Sequence, residues 1–256
     1  MKPVLRILLT MYEYAVFYFG VFWFGVLSLL WTMIAVVLQP LLPRDAGRAL
    51  GRFVIMAGFR FFLGCLAISG RFRFDLTELD ALRDEKSLII APNHPSLWDA
   101  VLIVSRLPDV ACIMKADVIN NIFLGAGARL ARYIRNSSLR TMIMLAIADV
   151  QRGSRLLLFP EGTRTVQPPI GPLKGSIGVI ASRARVPVQT VFIETDSPFL
   201  TKGWPVYRMP RLPLTYRVRL GQRFDPPADS DAFMAELEQY FAQALPAAPF
   251  PSSRNV

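Results

Sequence analysis

Residues 87–99 read SLIIAPNHPSLWD: a short apolar run, a proline, and a loop that sets the only histidine of the chain between two prolines. Ser87–Ala91 is too short for a buried helix and too apolar for a surface strand, so it is predicted to be a buried strand. The loop passes at Asp99 into a helix predicted over Asp99–Leu107 and closed by Pro108, because proline cannot continue a helix. The same alternation repeats outward from this unit. Val110–Met114, Arg155–Phe159, Pro187–Glu194 and Tyr216–Leu220 are predicted strands. Between them, Leu139, Met142, Ile143, Ile147 and Val150 recur at helical spacing, with Ser138 at the N-cap and Gly153 at the stop. Gly175–Arg185 is a further helix, and Phe233, Leu237, Phe241 and Leu245 mark a last one over about Ser230–Leu245. Ser197–Pro213 carries four prolines and no period, so it is expected to cross the surface as a loop. Strands separated by helices specify an α/β fold with a largely parallel, mixed sheet flanked by helices.

Chemistry concentrates where two of these strands end. His94 follows the first, with Asp99 five residues on at the start of a helix. A carboxylate there can accept from one ring nitrogen, fix the tautomer and leave the other nitrogen free to take a proton. This is a base without a nucleophile of its own, so the proton comes from a bound hydroxyl or from water. Ser96 is read as bonding backbone or capping the next helix, and Cys112 as core. The second constellation, Phe159-Pro160-Glu161-Gly162-Thr163-Arg164, presents a carboxylate, a hydroxyl, backbone amides and a guanidinium whose planar fork suits phosphate. Read alone, it is a turn whose opposite charges can pair; read with His94, it is half of one cleft.

Composition narrows the classes. Of 256 residues, 53% are hydrophobic and 19% charged, and the mean hydropathy of +0.37 is high for a soluble domain. With one histidine and two distant cysteines, Cys65 and Cys112, no common zinc site and no disulfide framework can be assembled. The formal net charge is +10, and residues 129–185 hold ten basic residues against two acidic ones, so an anionic partner is expected unless this is a solvated basic face. Nucleic acid is disfavoured by the lack of aromatic-basic interleaving and by the amino terminus.

That terminus holds 24 residues without a charge, Ala15–Leu38, which as a helix span roughly 36 Å, enough for a bilayer core. Behind it, Arg44, Arg48, Arg52 and Arg60 fall on one helical stripe with Phe53, Ile55, Met56, Phe59 and Phe62 around it. The stripe reads as an interfacial helix with its arginines among anionic headgroups; the alternative is a helix packed on the globular domain with those arginines in water. Lys2 and Arg6 also make the first flank basic, so the apolar run either spans or forms a re-entrant hairpin, and the hairpin is preferred. Residues 1–70 are thus expected to form a membrane-embedded helix pair and residues 71–256 the catalytic domain.

Asn93-His94 with Asp99, followed some 65 residues later by Phe159-Pro160-Glu161-Gly162-Thr163-Arg164, resembles the glycerolipid acyltransferase family, and in particular the bacterial 1-acylglycerol-3-phosphate O-acyltransferases. The resemblance covers about residues 70–225. It implies a membrane-bound O-acyltransferase that moves a fatty acyl group from acyl-CoA or acyl-carrier protein to a lysophospholipid hydroxyl, with no metal, no cofactor and no nucleic acid partner. It implies His94 as general base and Asp99 as its orienting group. Glu161, Gly162, Thr163 and Arg164 would bind the acceptor, helped by Arg135 and Lys174. It places the enzyme at a bacterial inner membrane, active site on the cytoplasmic face. Two departures bear on the acceptor: in Tyr133-Ile134-Arg135-Asn136 the arginine stands one place early, and Thr190 replaces a common proline. Another single-chain lipid, such as an amino-acid lysolipid, is therefore an alternative acceptor, and hydrolysis by the same base is an alternative reaction.

Overall fold

The computed structural model describes residues 3–167 and 169–245; Lys2 and the last eleven residues of the expected catalytic domain lie outside the described residues. Two long helices, α1 (Pro3–Leu41) and α2 (Arg44–Ile68), precede a seven-stranded sheet. The chain continues through β1 (Phe72–Asp75), a 3-10 turn at Thr77–Leu82, β2 (Leu88–Pro92), α3 (Asp99–Val104), β3 (Val110–Lys115), α4 (Ala116–Ile119), α5 (Gly125–Leu130) and β4 (Ile134–Asn136). It ends with α6 (Leu139–Gln151), β5 (Arg155–Leu157), α7 (Ser176–Ala184), β6 (Val188–Thr195), β7 (Leu214–Phe224) and α8 (Ser230–Ala244).

The sheet order is β1-β7-β6-β2-β5-β3-β4, parallel throughout except where β7 runs antiparallel to β6. This is the α/β architecture the alternating pattern predicts. β2, buried along its whole length, sits at the centre because its run Leu88–Ala91 has apolar side chains for both faces of the sheet. Leu88 and Ile90 face a core shared with α1, α2 and α3, whereas Ile89 and Ala91 face the one built by α6, α7 and α8.

α1 and α2 form an antiparallel hairpin. Tyr12 donates to the Ser69 carbonyl at 2.9 Å, Glu13 pairs with Arg71, and the Trp23 and Phe61 rings lie 6.4 Å apart. Both helices are long and apolar enough to cross a membrane. α1 buries only Phe17, Gly20, Ser28 and Ala35, one stripe, and leaves large apolar side chains such as Phe19, Phe22, Met33 and Val37 exposed. The buried stripe runs along the globular domain: Phe17 packs on Phe199, Thr32 donates to the Phe123 carbonyl at 2.8 Å, and Ala35 packs with Ala126 and Leu130.

The expected headgroup stripe on α2 is corrected at two of its four positions. Arg44 and Arg60 are exposed, but Arg52 is 2% exposed and Arg48 turns inward too. Arg52 donates to Asp109 at 2.7 Å, Ser154 at 2.8 Å, Asp149 at 2.5 Å and the Ala131 carbonyl at 3.1 Å, and Arg48 reaches Asp149 at 3.1 Å. Helical spacing reveals a common face, not what lies opposite; here it is a pair of aspartates contributed from 57 and 97 residues away. Phe62, Leu63 and Leu66 of α2 enter the main core, which therefore runs across the expected boundary at residue 70. β1 and β4 were not predicted, and the helix expected over Asp99–Leu107 ends at Val104.

Candidate active site

Strand β2 ends at Pro92, and the next residue fixes the turn. Asn93 is buried and its side-chain amide pairs both ways with Ile193 on β6, donating to its carbonyl at 3.1 Å and accepting from its amide at 2.7 Å. The side chain thus imitates one more rung of strand pairing while the backbone leaves the sheet. His94 follows, its ring stacked on Phe159 with centroids 3.8 Å apart. Nδ1 lies 2.8 Å from Asp99 Oδ2, which also accepts from the Ser96 amide at 2.8 Å. With Asp99 as acceptor, Nδ1 carries the proton and Nε2 has its lone pair. The His94 side chain is 16% exposed and that of Asp99 is fully buried, so solvent meets the imidazole alone. Burial pushes the Asp99 carboxyl above the ordinary carboxylate range, opposed by the hydrogen bond with His94.

The second loop, which follows β5, is tied to the first through Glu161. Its carboxylate is buried and accepts from the His94 amide at 3.2 Å, the Thr165 hydroxyl at 2.7 Å and the Gly171 amide at 2.8 Å, and the Thr165 amide in turn donates to the His94 carbonyl at 2.8 Å. Expected to bind acceptor, Glu161 is here spent on backbone and hydroxyl donors, and its visible work is to hold the histidine turn. Gly162 has φ +67°, a conformation side chains disfavour, and Lys174 packs over it. Lys174 is exposed and its amide donates to the Pro160 carbonyl at 2.7 Å; Thr163 is half-buried. Arg164 donates through Nη1 to the carbonyls of Leu200 and Thr201 at 2.9 and 3.0 Å, and among the described residues its Nε and Nη2 make no hydrogen bond.

His94, Asp99, Glu161, Gly162, Lys174 and Arg164 therefore form one contiguous assembly at the carboxyl edge of the sheet. Arg135 does not join it. It lies exposed on β4, three places from β2 in the sheet, roughly 14 Å at ordinary strand spacing. Nor is the basic block from 129 to 185 a single anion site, since Arg155 is spent on the carbonyls of Leu82, Pro108 and Arg83.

Sequence reasoning missed two contributors. Tyr216 on β7 bonds Ser96 at 3.0 Å and so braces the histidine turn, and burial raises its hydroxyl above the ordinary tyrosine range. Leu200, at φ +59°, aims its carbonyl at both Arg164 and the Leu97 amide. Neither residue type signals such a role.

Residues 73–194 match the acyltransferase family, and that span holds both loops just described. That span, just under half of the chain, is an acyltransferase domain. It is 22% identical over 218 residues to 1-acyl-sn-glycerol-3-phosphate acyltransferase of Pseudomonas aeruginosa, covering 83% of this chain and 81% of that protein. It is 25% identical over 195 residues to human 1-acyl-sn-glycerol-3-phosphate acyltransferase beta, covering 69% and 67%. The crystal structure of the 1-acyl-sn-glycerophosphate (LPA) acyltransferase PlsC from Thermotoga maritima superimposes with a TM-score of 0.60 at 21% identity, over 95% of this chain and 96% of that one. The acyltransferase fold thus extends through both amino-terminal helices. The matched domain and these relatives mark the chain as an acyltransferase, and acyl transfer takes precedence over the hydrolytic alternative.

Proposed function

We propose that the protein transfers a fatty acyl group from an acyl thioester, acyl-CoA or acyl-carrier protein, to the free hydroxyl of 1-acylglycerol-3-phosphate, with His94 as general base. The observation that carries this reading is the 2.8 Å contact of His94 Nδ1 with a fully buried Asp99, which leaves Nε2 of the partly exposed ring as its proton acceptor. Nε2 takes the acceptor's hydroxyl proton as its oxygen attacks the thioester carbonyl. The tetrahedral intermediate collapses, the carbon–sulfur bond breaks, and the proton passes from Nε2 to the departing thiolate. The residues around the base supply no competing nucleophile: the Ser96 hydroxyl is buried against Tyr216, and burial pushes the Cys112 thiol up to about 12. The acceptor phosphate is assigned to the open edge of Arg164, with Lys174 nearby on the same loop assembly.

Membrane association follows from the hairpin. α1 touches the domain from Phe17 to Ala35, roughly 27 Å of helix, nearly the thickness of a hydrocarbon core. A helix held against a water-exposed domain over that length lies along the membrane and presents its outer apolar face to acyl chains, which supports a monotopic enzyme at the inner membrane, with its cleft on the cytoplasmic side.

The test is His94→Ala in lipid vesicles with a labelled acyl thioester and 1-acylglycerol-3-phosphate. A loss of about two to four orders of magnitude in turnover with unchanged thermal unfolding is expected. Near-normal turnover would remove His94 from the mechanism, and release of free fatty acid without acylated product would favour hydrolysis.

A further inference from the structure

The loop between β6 and β7 is long and without regular structure, yet it is placed between the amino-terminal hairpin and the catalytic turn. Residues 197–213 read SPFLTKGWPVYRMPRLP, with Lys202, Arg208 and Arg211 and no acidic residue. All three cations are exposed, and among the described residues none has a carboxylate within salt-bridge distance. The loop is nonetheless organised. The Arg208 guanidinium sits 4.8 Å over the Trp204 ring, whose indole N–H donates to the Arg208 carbonyl at 2.9 Å. Against the start of α1 the loop forms a groove of about 450 Å³ lined by Tyr14, Tyr18, Pro205, Tyr207, Arg208 and Met209. Tyr14 and Tyr18 stack at 6.2 Å, and Tyr18 reaches the Tyr207 carbonyl at 3.4 Å.

A preset arginine at the mouth of a tyrosine-lined groove, beside a helix whose outer face is apolar, matches a phosphate that carries acyl chains. Tyrosines suit the level where acyl chains meet headgroups, and the planar fork of arginine suits the phosphate. We propose that the groove between α1 and the 197–213 loop binds the headgroup of an anionic bilayer phospholipid, separately from the acceptor, and thereby steadies the loop that holds the catalytic turn. The link to the turn is direct: the Leu200 carbonyl accepts from Arg164 and from the Leu97 amide, and Phe199 packs on Trp98 at 5.3 Å. The proposal rests on the membrane reading above and adds a resident lipid that sets activity.

The experiment compares the full chain with the triple variant K202Q/R208Q/R211Q on phosphatidylcholine vesicles, with and without added phosphatidylglycerol. Binding is read by co-sedimentation, and acyl transfer at fixed acceptor with acyl-CoA and, in parallel, with acyl-carrier protein as donor. Phosphatidylglycerol is expected to tighten binding and raise turnover of the wild type. The triple variant should lose at least about tenfold of that gain in binding, since each cation at an anionic surface is worth about fivefold, while keeping its affinity for neutral vesicles. Arg208→Lys should lose nearly as much as Arg208→Gln, because the fork and not only the charge is used. Arg183→Gln on α7, on the opposite layer, should be silent. A silent Arg208→Lys, or an equal effect of Arg183→Gln, would show diffuse attraction and overturn the site. So would a triple variant impaired only in KM for acyl-carrier protein, which would mark an acidic-protein dock. If phosphatidylglycerol adds nothing to the wild type, the lipid site falls while the membrane reading stands. If the wild type does not sediment even with neutral vesicles, the membrane reading itself falls.

Discussion

Replacing Arg52 by methionine keeps most of the side-chain length and removes the charge, at a point where the sequence pattern and the structure disagree most sharply. In the structure the guanidinium is 1% exposed and makes four hydrogen bonds, two of them to aspartates. Asp109 is 46% exposed and can be rehydrated, but the Asp149 side chain is 9% exposed and would keep only Arg48 at 3.1 Å and the Ser154 hydroxyl at 3.4 Å. Removing one partner of a buried pair typically costs 3–5 kcal/mol, and the retained Arg48 places Arg52→Met near the lower end, about 3 kcal/mol. Against a total stability on the order of 5–15 kcal/mol, that is a large fraction. Denaturant unfolding in detergent, followed by tryptophan fluorescence, reads the loss. In the double variant with Asp149→Asn the uncompensated charge is gone, so about 1.5 kcal/mol or more should return. If Arg52 met headgroups instead, Arg52→Met would weaken vesicle binding and leave unfolding within about 0.5 kcal/mol of wild type. That outcome would refute the buried network and restore the interfacial stripe.

Gly51→Ala probes the same seam sterically: its Cβ would stand 2.6 Å from the Ala131 amide nitrogen, and because backbone must move, a loss of about 1–3 kcal/mol is expected in the same unfolding assay. Asp99→Asn should lower turnover by less than His94→Ala and alter the acid limb of the pH–rate profile. If His94 is the base proposed above, protonating the Asp99 carboxyl withdraws the acceptor that orients it, so activity falls as pH falls, and because burial raises that carboxyl the fall begins above the ordinary carboxylate range; an unchanged profile in the variant would contradict this. Arg164→Ala should raise the acceptor KM with the thioester KM little changed, and equal loss of kcat with phosphate-bearing and phosphate-free lysolipids would instead mark Arg164 as holding the Leu200 turn.

Central features of the fold were legible because their information is local. β2, β3 and β5 are largely apolar runs; burial on both faces removes the alternation that marks a strand, and their shortness and flanking breakers are what separate them from helices. β1 and β4 were not legible for the converse reason. Phe72–Asp75 and Ile134–Asn136 are short, half-polar edge strands whose pairing is decided by the strand beside them. The His94–Asp99 pair was readable because its members stand five positions apart, whereas Arg52 and Asp149 stand 97 apart and no periodicity links them. Glu161 shows the limit at the site itself. A carboxylate beside an arginine in a turn suggests an ion pair or a substrate contact, but its partners are two amides and a hydroxyl that only the folded turn brings within reach.

This division sorts the motif residues by what substitution would do. His94 is gripped through its backbone from both sides, its amide by Glu161 and its carbonyl by Thr165, while its ring is set by Asp99 and Phe159. Two sets of restraints on one residue leave the imidazole little freedom, which the role proposed for it, as base to a hydroxyl about 3 Å away, requires. Asn93, Glu161 and Tyr216 serve that restraint from buried positions, so their loss should misplace an imidazole that remains chemically intact. Arg164 differs, because Nη1 holds the 197–213 loop while Nε and Nη2 make no hydrogen bond among the described residues. Under the function proposed above, acceptor binding and the position of that loop would be coupled through one side chain, and through the loop to the amino-terminal hairpin.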